Sequence, residues 1–195
     1  MTDAIIGADG KPRCPWAGES ATALARYHDE VWGTRTTNES ALFEALTLGV
    51  FQAGLSWRVV FGKRDAFRRA FHGFNVAKVS KMTEHDVEQL VRDPSIIRNR
   101  AKIQATIDNA RAMRSVSPSL AALVRAHETA AGRPPHGIAD VPATTPEARR
   151  LATQLESQGY RFVGPTSVYA FMQNVGVVND HILGCFRASH HRPAR

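Results

Sequence analysis

The sequence predicts an all-α fold, and three observations carry that reading. Apolar residues recur at helical spacing from end to end, period-two alternation is confined to residues 160–163, and capping, glycine and proline signals fall at the ends of the periodic stretches. After a polar lead-in to about residue 19, a first helix is predicted over residues 21–31. Residues 38–53 place Leu42, Phe43, Leu46, Val50 and Phe51 on one apolar face, which suits a core helix that Gly54 then stops. Ser56 caps a short helix carrying Trp57, Val60 and Phe61, and a helix over residues 65–71 turns Phe67 and Phe71 inward. Thr83 with Asp86 three residues on forms a capping box ahead of a helix through Val91, which Pro94 prevents from continuing. Asp93-Pro-Ser-Ile-Ile-Arg-Asn-Arg then leads straight into a helix over residues 100–113, so the two helices meet at a tight hairpin. Ser117-Pro118 and Thr145-Pro146 start two further helices by the proline-at-first-turn rule, with a loop over residues 132–137 between them. A last helix over residues 165–175 is closed by Gly176. With no internal repeat or linker, residues 1–195 read as one helical domain with flexible tails at 1–12 and 188–195; a two-lobed body split near residue 115 stays open.

The composition narrows the function classes. Hydrophobic residues at 43% and charged residues at 22% exclude disorder for the bulk of the chain. Lys and Arg number 25 against 18 acids, a net charge of +7, which points to a polyanionic partner. There is no secretory leader pattern and no apolar run of about 18 residues, so a cytoplasmic protein that does not touch membranes is expected. The sequence has no glycine-rich phosphate loop ahead of a lysine, no G-x-S-x-G elbow and no H-E-x-x-H helix, which sets aside nucleotide hydrolysis and zinc proteolysis.

Two cysteines cannot build a disulfide framework and, among eight histidines, read better as metal ligands in a reducing compartment. His181 and Cys185 are four apart and can grip one ion from a helix or tight turn, while Cys14 and His28 offer the same ligand types near the other end. Four such ligands would make a closed structural zinc site clipping the N-terminal segment to the C-terminal one. On spacing alone, Cys185 can equally be a small buried hydrophobe and His181 a core histidine, and His190 and His191 are rival ligands.

The run Phe51-Gln-Ala-Gly-Leu-Ser-Trp57 combines a helix stop with an apolar residue and an aromatic. Leu55 on an exposed turn would suit a wedge into a base stack, with Trp57, Trp16 and Tyr27 lining a pocket for an extruded base; the alternative is that Leu55 and Trp57 are core residues. Arg92, Arg98, Arg100 and Lys102 surround the hairpin, either as a solvated surface or, beside free backbone N–H groups, as a phosphate-binding device.

Taken together, Arg13-Cys-Pro-Trp16, Tyr27-His-Asp-Glu-Val-Trp-Gly33, Phe51-Gln-Ala-Gly-Leu-Ser-Trp57, Ile96-Ile-Arg, Lys102-Ile, Asn109-Ala-Arg, Phe162-Val-Gly, Phe171-Met-Gln and Val178-Asn-Asp-His resemble the 3-methyladenine DNA glycosylase I family. They occur in order from about residue 13 to 186. The resemblance implies a helix-hairpin-helix glycosylase acting on double-stranded DNA containing alkylated bases; no organic cofactor and a monomeric state are expected. It further implies a structural zinc on Cys14, His28, His181 and Cys185, a base pocket of Trp16, Tyr27 and Trp57, and Gln52, Gly54 and Leu55 on a loop entering the DNA. The sequence departs from the family in two places. Gly49 stands where the family carries a glutamate that contacts the flipped base, so no catalytic side chain is assigned, and Leu24 stands where an aromatic is frequent. An adenine methylated at N3 is cationic and leaves as a neutral base, so extrusion, stacking and admission of water make up most of the task. Two readings follow: an alkylpurine glycosylase, favoured by the aromatics, and a weakened or silent lesion-binding module, favoured by Gly49.

Overall fold

Side chains that accept the free N–H groups of a first turn open most of the helices. The computed structural model describes residues 3–18, 22–128 and 132–188. Thr22 caps α1 (Ala23–Glu30), Asn38 caps α2 (Glu39–Gln52), and Ser56 caps α3 (Trp57–Phe61), which is followed by α4 (Arg64–Ala70). Asn75 caps α5 (Val76–Val79), and the Asp86 carboxylate accepts from the Thr83 N–H at 2.7 Å to open α6 (Glu84–Arg92). Asn99 caps α7 (Arg100–Ser115), Ser119 caps α8 (Leu120–Ala126), Thr145 caps α9 (Pro146–Ser157), and Pro165 opens α10 (Pro165–Asn174).

The centre of the fold is α2. Leu42, Phe43, Leu46, Val50 and Phe51 are buried as the periodicity predicts, but Thr47, Leu48 and Gly49 are buried as well. A helix apolar nearly all round must be enclosed, and α2 packs against α3, α5, α7, α8 and α10. Its one buried acid, Glu44, is neutralised by Arg64 (2.6 Å) and Arg68 (2.9 Å) of α4. No described helix is long and apolar enough to cross a membrane.

The structure departs from the sequence reading in four places. Residues expected in a flexible N-terminal tail form a short antiparallel hairpin, Ile5–Ile6 against Pro12–Arg13, because the Arg13 guanidinium is buried between Asp9 and Asp29, both at 2.7 Å. The alternation at residues 160–163 buries Tyr160 and Val163 without forming a strand; the edge of Arg161 is met by the Asn109 side chain, which accepts from its N–H (2.6 Å) and donates to its carbonyl (3.1 Å). Helix α8 begins after Pro118, at the Ser119 cap, and α5 carries too few residues to show a period. The expected helix start at residue 21, His190, His191 and the tail from 189 onward lie outside the described residues.

Candidate active site and metal centre

The N-terminal and C-terminal described segments meet where Cys14, His28, His181 and Cys185 converge. All four are buried, and one ligand atom from each lies within 4.8 Å of the others. His28 is on α1, whereas His181 and Cys185 come from the tight turns after α10, so the four-residue spacing is met by a turn rather than a helix. The S···N separations are 3.7 Å for Cys14–His181, 3.6 Å for Cys185–His181 and 3.5 Å for Cys185–His28. Tetrahedral bonds of about 2.3 Å to sulfur and about 2.0–2.1 Å to nitrogen separate such ligands by about 3.6 Å, so the residues fit a four-ligand metal.

The surroundings agree with that fit. His28 turns its other ring nitrogen to Asp29 (2.9 Å), which Arg13 holds in place, and the second nitrogen of His181 faces the Trp32 carbonyl (3.3 Å). Ligating histidines are oriented in this way by outer partners. Contact with Cys14, His181 and His28 holds the Cys185 thiol well below its ordinary range, while contact with Cys185 and burial push Cys14 up. Burial also lowers His181, favouring the neutral, ligating imidazole. Two cysteines and two neutral imidazoles converging in a buried cluster are a donor set that a cation would suit.

The Cys/His cluster supports the wall of a cavity. Trp16 packs edge-on to His28 (5.1 Å between centroids), Trp32 edge-on to His181 (4.5 Å), and the two indoles meet each other at 5.0 Å. Both face a cavity of about 220 Å³ that Trp57 closes from α3, with Gln52, Gln173, Asn174 and Asp180 as its polar lining. The Asp180 carboxylate accepts from Tyr169 and Gln173, each at 2.6 Å.

Of the pocket residues expected from sequence, Trp16, Gln52 and Trp57 line this cavity, whereas Tyr27 and Gly49 do not. Tyr27 stands behind the wall: its ring backs Trp57 at 5.5 Å, its hydroxyl donates to Asn174 (3.2 Å), and Arg64 covers it at 5.3 Å. Burial pushes its pKa up, so it remains a neutral donor. Gly49 lies one turn before Gln52 on α2, and a Cβ built there would meet only the Ser167 carbonyl, at 3.8 Å. Trp32, Asn174 and Asp180 were not singled out from sequence, although Trp32 lies within the quoted motif Tyr27–Gly33 and Asp180 directly precedes His181 in another.

Beside the cavity, Gly54 takes φ +79° and Leu55 is 41% exposed, so the loop between α2 and α3 presents an apolar tip. The cations of the hairpin are not equivalent. Arg98 is exposed with no ion pair among the described residues, while Arg100 is engaged by Glu84 and Glu88 of α6. Lys102, expected to contact phosphate, is 7% exposed, and its ammonium is turned inward to the carbonyls of Phe51 (3.0 Å) and Ala53 (2.6 Å). Those carbonyls end α2 without continuing it, and the ammonium takes the place of the missing N–H donors.

Comparison with known proteins identifies the family. Residues 16–188 match the methyladenine glycosylase family. DNA-3-methyladenine glycosylase 1 of Escherichia coli is 40% identical over 178 residues, 89% of this chain and 95% of that protein. A crystal structure of a 3-methyladenine DNA glycosylase I superposes with a TM-score of 0.83 at 41% identity, over 89% of this chain and 98% of the other. The Staphylococcus aureus enzyme, in a structure addressing 3-methyladenine recognition, does so with 0.84 at 27% identity, over 91% and 97%. The chain belongs to the methyladenine glycosylase family.

Proposed function

We propose that this chain is a DNA glycosylase that hydrolyses the N-glycosidic bond of alkylated purines, chiefly 3-methyladenine, after flipping the nucleotide from double-stranded DNA. The observation that carries the proposal is a base-sized cavity walled by Trp16, Trp32 and Trp57, next to an exposed Gly54-Leu55 tip. The tip enters the stack left by the flipped nucleotide, while Arg98 and the first-turn N–H groups of α7 bind phosphate in helix-hairpin-helix fashion. The indole faces stack on the cationic base, and Asp180 adds a negative charge to the wall. Water attacks the sugar carbon, the carbon–nitrogen bond breaks, 3-methyladenine departs neutral, and the proton of the water passes to solvent.

Zinc is the metal that two thiolates and two neutral imidazoles suit best, and with four protein ligands it would supply structural closure with no open position. It would hold His28 and His181, and through them Trp16 and Trp32, in place. The silent-module reading is not favoured: the cavity is formed despite Gly49, and its tryptophans hold it open without that side chain. The test is to incubate the purified protein with methylated DNA and identify released bases by chromatography. The expected result is free 3-methyladenine in proportion to protein; no release above buffer overturns the proposal.

A further inference from the structure

The loop that would enter DNA has little support of its own. Residues 53–56 are exposed, Gly54 has no neighbour within 4 Å of a built Cβ, and the backbone of this stretch is tied to the preceding helix by one bond, Leu55 N–H to the Gln52 carbonyl at 2.8 Å. Pushing an apolar side chain into a base stack costs a few kcal/mol per unstacked step, so the loop must be stiff where it joins the protein. Among the described residues, Lys102 is the one whose side chain bonds the backbone leading into it, at Phe51 and Ala53. The same residue sits in the first turn of α7, its own N–H capped by Asn99 at 3.1 Å, three residues from exposed Asn99 and four from exposed Arg98.

Resting on the glycosylase reading, we infer that Lys102 is a positioning residue, a buried strut that fixes the Gly54-Leu55 tip relative to the phosphate-docking end of α7, so that docking on the backbone and entry into the stack occur in register. Its ammonium does not neutralise phosphate. Burial lowers its pKa, and the partial negative charge of the α2 C-terminal carbonyls favours its charged form.

The test compares wild type, Lys102→Met and Lys102→Arg as metal-loaded full-length protein. Binding to unmodified duplex across a salt series reads docking, and 2-aminopurine fluorescence beside an abasic-site analogue reads loop entry and unstacking. Lys102→Met is expected to leave the salt slope unchanged and to lower the unstacking signal at saturating protein at least fivefold, with Lys102→Arg intermediate because it keeps a buried cationic donor. A salt slope flattened by about 0.9, the change for one lost phosphate contact, overturns the inference. So does wild-type unstacking in Lys102→Met. Should Lys102→Met not fold, Lys102→Arg decides by the same two readouts: intermediate unstacking supports the strut and full unstacking overturns it. Neither readout depends on base release, so an inactive wild type would count against the glycosylase reading while the strut is still measured.

Discussion

Trp57 separates the chemistry of the site from its scaffold, because it closes the cavity from α3 yet ligates nothing and caps nothing. Stacking and cation–π attraction on one base are worth about 1–3 kcal/mol, so Trp57→Ala is expected to slow 3-methyladenine excision roughly 5- to 150-fold in single-turnover assays while metal content stays unchanged. Gly49 is the complementary case. A glutamate there has space for its Cβ, lies one turn below Gln52 and removes a helix-interior glycine, so Gly49→Glu is expected to accelerate release of the cationic base more than of a neutral lesion; equal effects on both would show that its charge does not reach the base. Residue-scale features differed in how far the sequence disclosed them. Ser56 acts within three residues of itself and was read as a cap, whereas Thr22, Asn38 and Asn99 cap just as locally but were not read as caps from the sequence. Asn174 and Asp180 enter the cavity wall only through the packing of α10 and its following turns, which no local spacing encodes.

At the scale of elements, the α6–α7 hairpin shows why charge in a sequence is an incomplete guide to a surface. Arg98, Arg100 and Lys102 look alike as letters, but the first faces solvent, the second is held by two glutamates one helix away, and the third caps α2. Arg98→Ala is therefore expected to flatten the salt dependence of DNA binding by about 0.9, and Arg100→Ala to change it by less than half as much, as measured by fluorescence anisotropy across a salt series. The hairpin itself was legible because the Thr83–Asp86 box and Pro94 act locally and the connection to Arg100 is short. The N-terminal hairpin was not, because it depends on Asp29 pairing with Arg13 across a turn of chain.

At the scale of the whole molecule, the Cys14–His28–His181–Cys185 cluster, which could hold a metal ion, ties the N-terminal segment to the C-terminal one and backs the cavity wall at the same time. Cys185→Ser, or prolonged chelation, is expected to lower stability by several kcal/mol, since metal binding of this kind is coupled to folding. It should also shift tryptophan emission, because Trp16 and Trp32 rest on the cluster histidines His28 and His181; an unchanged melting temperature and emission after complete metal removal would contradict this coupling. The ligand types were legible in the sequence, but that two of them also carry the aromatic wall was not, since the Trp32–His181 ring contact joins segments about 150 residues apart and the Trp16–His28 contact depends on how the segment before α1 folds back. The central claim, that the three-tryptophan cavity receives the alkylated base, is tested most directly by a crystal structure of this protein with 3-methyladenine. The account predicts the base among Trp16, Trp32 and Trp57 within reach of Gln52; a base seated instead in the separate cavity between Tyr27, Glu44 and Arg64 would contradict it.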